Sequence, residues 1–292
     1  MASPRYVLPF EPSLIVSVQN CEIAVVVSDP MHIVPAAKTV KTSNNLLDCV
    51  ILRYPSTLDT LDWSENWIDI PLVVEAQAFG QFRLLNRYLE ILRRLDVRIH
   101  LPLLSEQNAS GLRILSSLGI DSCAVLLSET DWNVAADLMT YAVLGRCQHA
   151  PIQPFNYIAE NYNVSTYSGW GEVIFDDPKH YLHMDELGRV ALTVSKLTLD
   201  NFLHVNIRTL ANVVRLDSYC RSLFDWRQHF LLNDDCAKCP GWRCCRGGVA
   251  GIVGDKSGCS SLFTEMLDVA ELYRNQRYLQ DARRKKKRWS QS

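Results

Sequence analysis

The sequence predicts an α/β fold: a partial (β/α) barrel-like parallel sheet with a β-rich N-terminal region and a cysteine-bearing C-terminal domain. Three observations predict it. Between residues 68 and 145 apolar strand-like runs alternate with segments of helical period, the mark of βαβ units and parallel pairing. Residues 1–62 are rich in β-branched runs. Five of the ten cysteines fall between Cys236 and Cys259, apart from the apolar runs.

In the N-terminal region, residues 14–18 (LIVSV) and 22–27 (EIAVVV) flank Gln19-Asn20 and predict a hairpin. Residues 45–53 predict a further strand, closed by Pro55. The second region, residues 63–170, is expected to hold the truncated barrel. Ile70–Ala76 is a short apolar run suited to a strand buried on both faces. Gln81–Leu95 places Phe82, Leu85, Leu89, Leu92 and Leu95 on one side of a helix. Val97, Ile99, Leu101 and Leu103 alternate as a strand, and Ser105–Leu118 predicts a helix stopped by Gly119. Ile120–Leu127 is a third strand. Trp132–Leu144 is a third helix, capped by Ser128 or Thr130 and stopped by Gly145. Residues 146–170 carry Pro151 and Pro154 and lead out of this region.

Residues 171–270 form the expected cysteine domain. Glu172–Phe175 and Arg189–Val194 predict strands about a turn at Asp185–Gly188, and residues 210–230 and 262–282 predict helices. Residues 271–292 end in a basic block, Arg283–Arg288, without which the remainder has 24 basic and 32 acidic residues. That block reads as a solvated tail. His149, His180 and His183 have no regular spacing to any cysteine and read as ordinary surface or core histidines.

Composition narrows the function classes. With 48% apolar and 21% charged residues the 292-residue chain reads as an ordinary globular protein. Its 30 basic and 32 acidic residues, net −2, argue against a dedicated nucleic-acid binder. There is no secretory pattern at the start and no run of about 18 apolar residues, so a cytoplasmic protein without membrane spans is expected.

The motif richest in chemistry is CAKCPGWRCCRGGVAGIVGDKSGC, with Cys236, Cys239, Cys245 and Cys259 spaced C-x2-C-x5-C-x13-C. Four thiolates converging on one point suit a tetrahedral sulfur site, holding zinc or an iron–sulfur cluster. Pro240, Gly241, Gly247 and Gly248 let the backbone turn closely, and Lys238, Arg243 and Arg246 offset thiolate charge. Cys244 and Cys245 are adjacent, so one is a spectator, here taken to be Cys244. Spacing alone leaves cluster and zinc both open. Glu75, at the end of the first βα strand, occupies a position where barrel enzymes place functional groups, but structural duty is the expected role. No Ser/His/Asp order, phosphate loop or supported carboxylate pair is found.

CAKCPGWRCCRGG resembles the SPASM domain of radical SAM enzymes that modify ribosomally made peptides. The resemblance implies that Cys236, Cys239, Cys245 and Cys259 hold one auxiliary 4Fe–4S cluster. The family's next cysteine position is Val249 here, and its G-x4-C segment reads GRVALT from Gly188, so the second auxiliary cluster is expected to be lost. The C-x3-C-x2-C motif that holds the S-adenosylmethionine-cleaving cluster cannot form from Cys21, Cys49, Cys123 and Cys147. No Gly-Gly precedes Gly247 to bind the methionine amine.

The chain is therefore similar to a degenerate, pseudo radical SAM protein. That resemblance implies a non-enzymatic partner in peptide (RiPP) modification, binding a ribosomal precursor peptide, an active radical SAM enzyme, or both as a hetero-oligomer. The alternatives are an electron-transfer iron–sulfur protein and a zinc-stapled binding module. Strand addition at an exposed sheet edge, or at residues 1–60, is the expected mode of peptide binding.

Overall fold

The computed structural model describes residues 4–145, 148–165, 168–203, 213–232, 234–245 and 256–289. Nine strands form one sheet: β1 (Arg5–Pro9), β2 (Glu22–Val27), β3 (Leu46–Thr57), β4 (Leu72–Ala78), β5 (Val97–Pro102), β6 (Asp121–Val125), β7 (Ile152–Gln153), β8 (Tyr181–Met184) and β9 (Val190–Ala191). Their order is β7-β6-β5-β4-β3-β2-β1-β8-β9. Every neighbouring pair is parallel except β8–β9. The α/β class with a mostly parallel sheet agrees with the sequence reading.

The first correction concerns residues 1–62. They form no hairpin and no separate region, because β1, β2 and β3 are parallel and continue into β4. Residues 14–17 belong to helix α1 (Pro12–Ser17), with Val18 as its C-cap, and not to a strand. Pro12 starts it with φ already set for a helix, and Leu14, Ile15 and Val18 are buried on one side. Buried Asn45 closes its far end: the amide donates to the carbonyls of Ile15 and Val18 and accepts from the Cys21 N–H. The sequence reading also missed α2 (Ile33–Thr42), whose buried Ile33, Ala36, Ala37 and Val40 have clear helical spacing. Strand β3 runs through Pro55 rather than stopping at it. Pairing with β2 ends at Leu52, and the register with β4 slips between Tyr54 and Thr57, which frees Pro55 from the ladder.

The middle of the chain follows the pattern closely. The 81–95 helix is broken into α3 (Phe82–Leu85) and α4 (Leu89–Arg94) by a 3-10 turn. Helix α5 (Glu106–Ser117) is capped by Ser105 and followed by Gly119 at φ 84°. Helix α6 (Trp132–Leu144) has the expected bounds but a different cap: Asp131 accepts from the N–H groups of Asn133 and Val134, while Thr130 accepts from the Leu127 N–H. Helix α7 (Phe155–Asn161) follows β7.

Residues 172–175 are not a strand. Trp170–Ile174 is a 3-10 helix that ends at Phe175 in the left-handed region, φ 61°. The sequence reading missed β1, β7 and β8, and all four residues of β8 are buried. Beyond β9 lie α8 (Val194–Thr198), α9 (Asp217–Gln228), α10 (Asp234–Lys238), α11 (Trp242–Cys245) and the long α12 (Lys256–Trp289). The basic block Arg283–Arg288 falls within α12. Because β8 and β9 extend the sheet beside β1, residues 171–203 are part of the same architecture as residues 5–153.

Strand alternation divides the apolar side chains into two layers. Tyr6, Leu8, Ile23, Val25, Val50, Leu52, Val74 and Ile99 share one large core with α1, α2, α5 and α6. On the opposite face Val7, Ala24, Cys49, Ile51 and Val73 pack with Phe175 and Tyr181. Helix α12 packs on α6 and α7.

Neither sheet edge among the described residues offers a long free strand. The Val190 carbonyl on β9 already accepts from Leu203 N–H, and the Ile152 N–H on β7 is taken by the Asn156 side chain, just before Pro154. Strands β1, β2 and β3 are interior strands of the sheet. The expected strand addition of a peptide therefore lacks its edge. No described helix is long and apolar enough to cross a membrane.

Candidate functional site

The cysteine site is built from three short elements and the start of α12. Cys236 lies on α10, Cys239 just beyond it, Cys244 and Cys245 on α11, and Cys259 near the start of α12. The turn between α10 and α11 is drawn tight by backbone bonds. Cys239 N–H reaches the Asp235 and Cys236 carbonyls, and the N–H groups of Cys244 and Cys245 both reach the Gly241 carbonyl. A Cβ on Gly241 would stand 2.6 Å from Phe263 Cβ and 3.2 Å from Cys239 Sγ, so only glycine lets this turn approach α12. At the other end a Cβ on Gly258 would overlap Trp132, the first residue of α6.

Cys244 is fully buried, whereas Cys236, Cys239, Cys245 and Cys259 are half-buried. The Cys244 thiol donates to the Gly241 carbonyl at 3.3 Å. Burial pushes its pKa well above the ordinary thiol value, and the thiols of Cys245, Cys239 and Cys259 push it further. Those three sequence-marked residues thus stand around Cys244, which is held as a neutral thiol.

A set of four or five thiols suits a soft ion or cluster in its chemistry. Among the described residues, however, no three His, Cys, Asp or Glu side chains are placed closely enough to hold a metal ion. The donors fit in kind and in neighbourhood without forming a closed coordination shell. Arg246, Gly247, Gly248 and Val249 lie outside the described residues. Of the other expected charges, Lys238 is exposed and Arg243 stacks on Trp242.

A second set of groups escaped the sequence reading. On the sheet face away from the helices, pairing aligns Arg53, Glu75, His100, Cys123 and Gln153, one from each of β3 to β7. Glu75 is held by Arg53, Nε to Oε2 at 3.3 Å. His100 is wholly buried, and desolvation first, then Arg98, lowers its pKa to about 3, so the ring is neutral. Burial raises the Cys123 thiol to about 12. Phe175 stacks on the His100 ring at 6.2 Å and meets Tyr181 edge-on at 5.3 Å, which covers the centre of this face. The signal was present as alternate polar residues within apolar strands, as in Arg98 and His100, but only register brings them into line.

At the C-terminal rim of the strands, where barrel enzymes carry their chemistry, a cavity of about 410 Å³ is lined by Arg53, His183 and Arg189. Each is tied to a carboxylate: Arg53 to Glu75, His183 to Asp176 at 3.0 Å, and Arg189 to Asp185 at 2.6 Å. His149 stacks on Tyr141 and meets the Ser116 hydroxyl, away from the cysteines.

No family model matches the chain, and no curated protein matches it.

Proposed function

We propose that the chain is a non-catalytic partner protein of the pseudo radical SAM type, with a partial-barrel scaffold. It would assist peptide modification by binding the precursor peptide, an active radical SAM enzyme, or both. The observation that carries this reading is the closed sheet face. β1 leads through Phe10 and Glu11 directly into α1 without a cysteine, and Phe175 lies across the face on which substrate would sit in a catalytic barrel. The sequential parallel order from β1 to β7 supports the scaffold, and the polar side chains of the C-terminal rim are engaged with one another rather than held ready for a substrate.

In this reading Cys236, Cys239, Cys245 and Cys259 hold one 4Fe–4S cluster in a SPASM-like domain, with Cys244 as a packed spectator. A bound cluster would supply one-electron redox capacity and tie α10 and α11 to α12. The protein's own contribution is the Gly241 turn, which brings Cys239 against α12.

The test begins with iron, sulfide and zinc analysis of anaerobically purified protein. About four irons and four sulfides per chain are expected for a cubane held by four cysteines. Colourless protein with zinc would replace the cluster by a structural ion. Capture of the precursor peptide or of an active radical SAM enzyme from the same source is the second expected result, and capture of neither overturns the partner reading. Cleavage of S-adenosylmethionine by the purified chain would contradict its non-catalytic part.

A further inference from the structure

A second concave site lies at the other end of the strands. A cavity of about 660 Å³ opens at their N-terminal rim, within the size range of small-molecule sites. Its walls come from β1 and from β3 to β8 on one side and from the segment carrying Glu172 and Phe175 on the other. Ligands of parallel sheets usually bind at the carboxyl ends of the strands, whereas this cavity lies at the opposite end.

Asp48 is the extra residue of a β-bulge. Ile23 pairs with Leu47 and Ala24 with Cys49, which leaves Asp48 without a partner on β2. Bulges re-aim side chains, and this one brings Asp48 to Tyr181, whose hydroxyl donates to it at 3.1 Å. The same hydroxyl accepts from Arg5 at 2.7 Å. Burial raises the Asp48 pKa despite the nearby Arg5. Buried ion pairs and polar chains are poor stabilisers compared with apolar packing, so a polar rim built with a bulge points to binding.

The rim is also incompletely paired. Arg98, near the start of β5, donates one Nη2 bond to Asp121 at 3.3 Å, while its buried Nε has no hydrogen-bond partner among the described residues. Gln153 uses its carbonyl oxygen to accept from Tyr157 N–H, which leaves its amide donors to the cavity. Across from the strands, Glu172 accepts from the Tyr157 hydroxyl with Oε2 at 2.8 Å, and its other oxygen remains an acceptor. Val73 and Phe175 supply apolar wall between these groups.

A planar guanidinium edge with spare donors selects a carboxylate, and a carboxylate with a spare oxygen selects an ammonium group. We infer that this cavity binds a small zwitterion, a free amino acid or a dipeptide, with its carboxylate at Arg98 and Gln153 and its ammonium group at Glu172. None of Cys236, Cys239, Cys245 and Cys259 lines this cavity, so the site is independent of any cluster they hold.

The test is isothermal titration calorimetry of the full chain with each proteinogenic L-amino acid and with its glycyl dipeptide. At least one is expected to bind, and which series binds distinguishes free amino acid from dipeptide. The N-acetyl and C-amide derivatives of that ligand should each bind about tenfold more weakly, the loss of one charge-assisted contact. Glu172→Gln and Arg98→Lys should weaken the parent ligand by about the same factor. Glu172→Gln should no longer distinguish the parent from its N-acetyl derivative, a readout that a general loss of stability would not produce. Cys239→Ser should leave binding unchanged, so failure here is separable from failure of the cysteine reading. Absence of binding across both series overturns the proposal, as does equal binding of the blocked derivatives.

Discussion

The ring of Phe175 lies 6.2 Å from the imidazole of His100 and only 21° from parallel to it. Phe175 reaches this place from a left-handed backbone position, an unusual conformation for a bulky residue. Its position is therefore held by packing against His100 and Tyr181. Phe175→Ala should cost about 3 kcal/mol, the usual loss for emptying a buried aromatic site. The midpoint of urea unfolding reads that loss directly. An unchanged midpoint would show that the ring does not seal this face.

His100 makes acid stability a second test. Its folded-state pKa, about 3, lies below the ordinary histidine value because burial disfavours the charged ring. The neutral ring is native, so this group costs nothing above about pH 6.5, its ordinary value. As pH falls from there toward 3, the unfolded chain takes up a proton that the folded chain refuses. Stability should fall by about 1.4 kcal/mol per pH unit from this group alone. His100→Phe should flatten that part of the stability profile, measured by urea unfolding between pH 7 and pH 4 as round settings of the buffer series. An unaltered slope would remove His100 from the acid response.

Much of the parallel sheet was readable because its units are locally consistent. Helix α6 combines apolar periodicity with a glycine stop, and strands β5 and β6 are short apolar runs between helices. The first sixty residues misled because Leu14, Ile15 and Val16 favour strands by composition, while Pro12 and the burial of Leu14, Ile15 and Val18 decide for a helix. Strand β8 carries Tyr181, whose partners Arg5 and Asp48 are distant in sequence. Spacing marked the cysteine group. The row from Arg53 to Gln153 and the N-terminal cavity were not legible, because each needs several strands in register before its members meet.

Asn45 gives a third prediction, at the place where the sequence reading failed. Its side chain satisfies Cys21 N–H and the Ile15 and Val18 carbonyls at once, and it is 7% exposed. Asn45→Ala leaves three backbone groups without this partner and should cost about 3 kcal/mol in chemical denaturation. Asn45→Asp keeps the acceptor for Cys21 but loses both donors, so it should also destabilise and do so more at high pH, where the carboxylate is ionised. A neutral alanine variant would mean that water replaces the amide at the end of α1.

Gly241 and Gly258 separate local from general effects at the cysteine site. A Cβ on Gly241 meets Phe263 and Cys239, whereas one on Gly258 meets Trp132 on α6. Either alanine variant should lower the melting temperature, since overpacking of this kind costs about 2 kcal/mol. Their effect on thiol chemistry should differ. In the native chain Cys244 should be alkylated after Cys239, because it is buried, neutral and bonded to the Gly241 carbonyl, and the thiolate is the reactive form. Gly241→Ala displaces the turn that makes this bond and should bring Cys244 forward in the alkylation order. Gly258→Ala acts at the far side of α12 and should leave the order intact. Mass spectrometry of tryptic peptides after timed iodoacetamide treatment decides the matter, and early labelling of Cys244 in the native chain would refute the buried-spectator role.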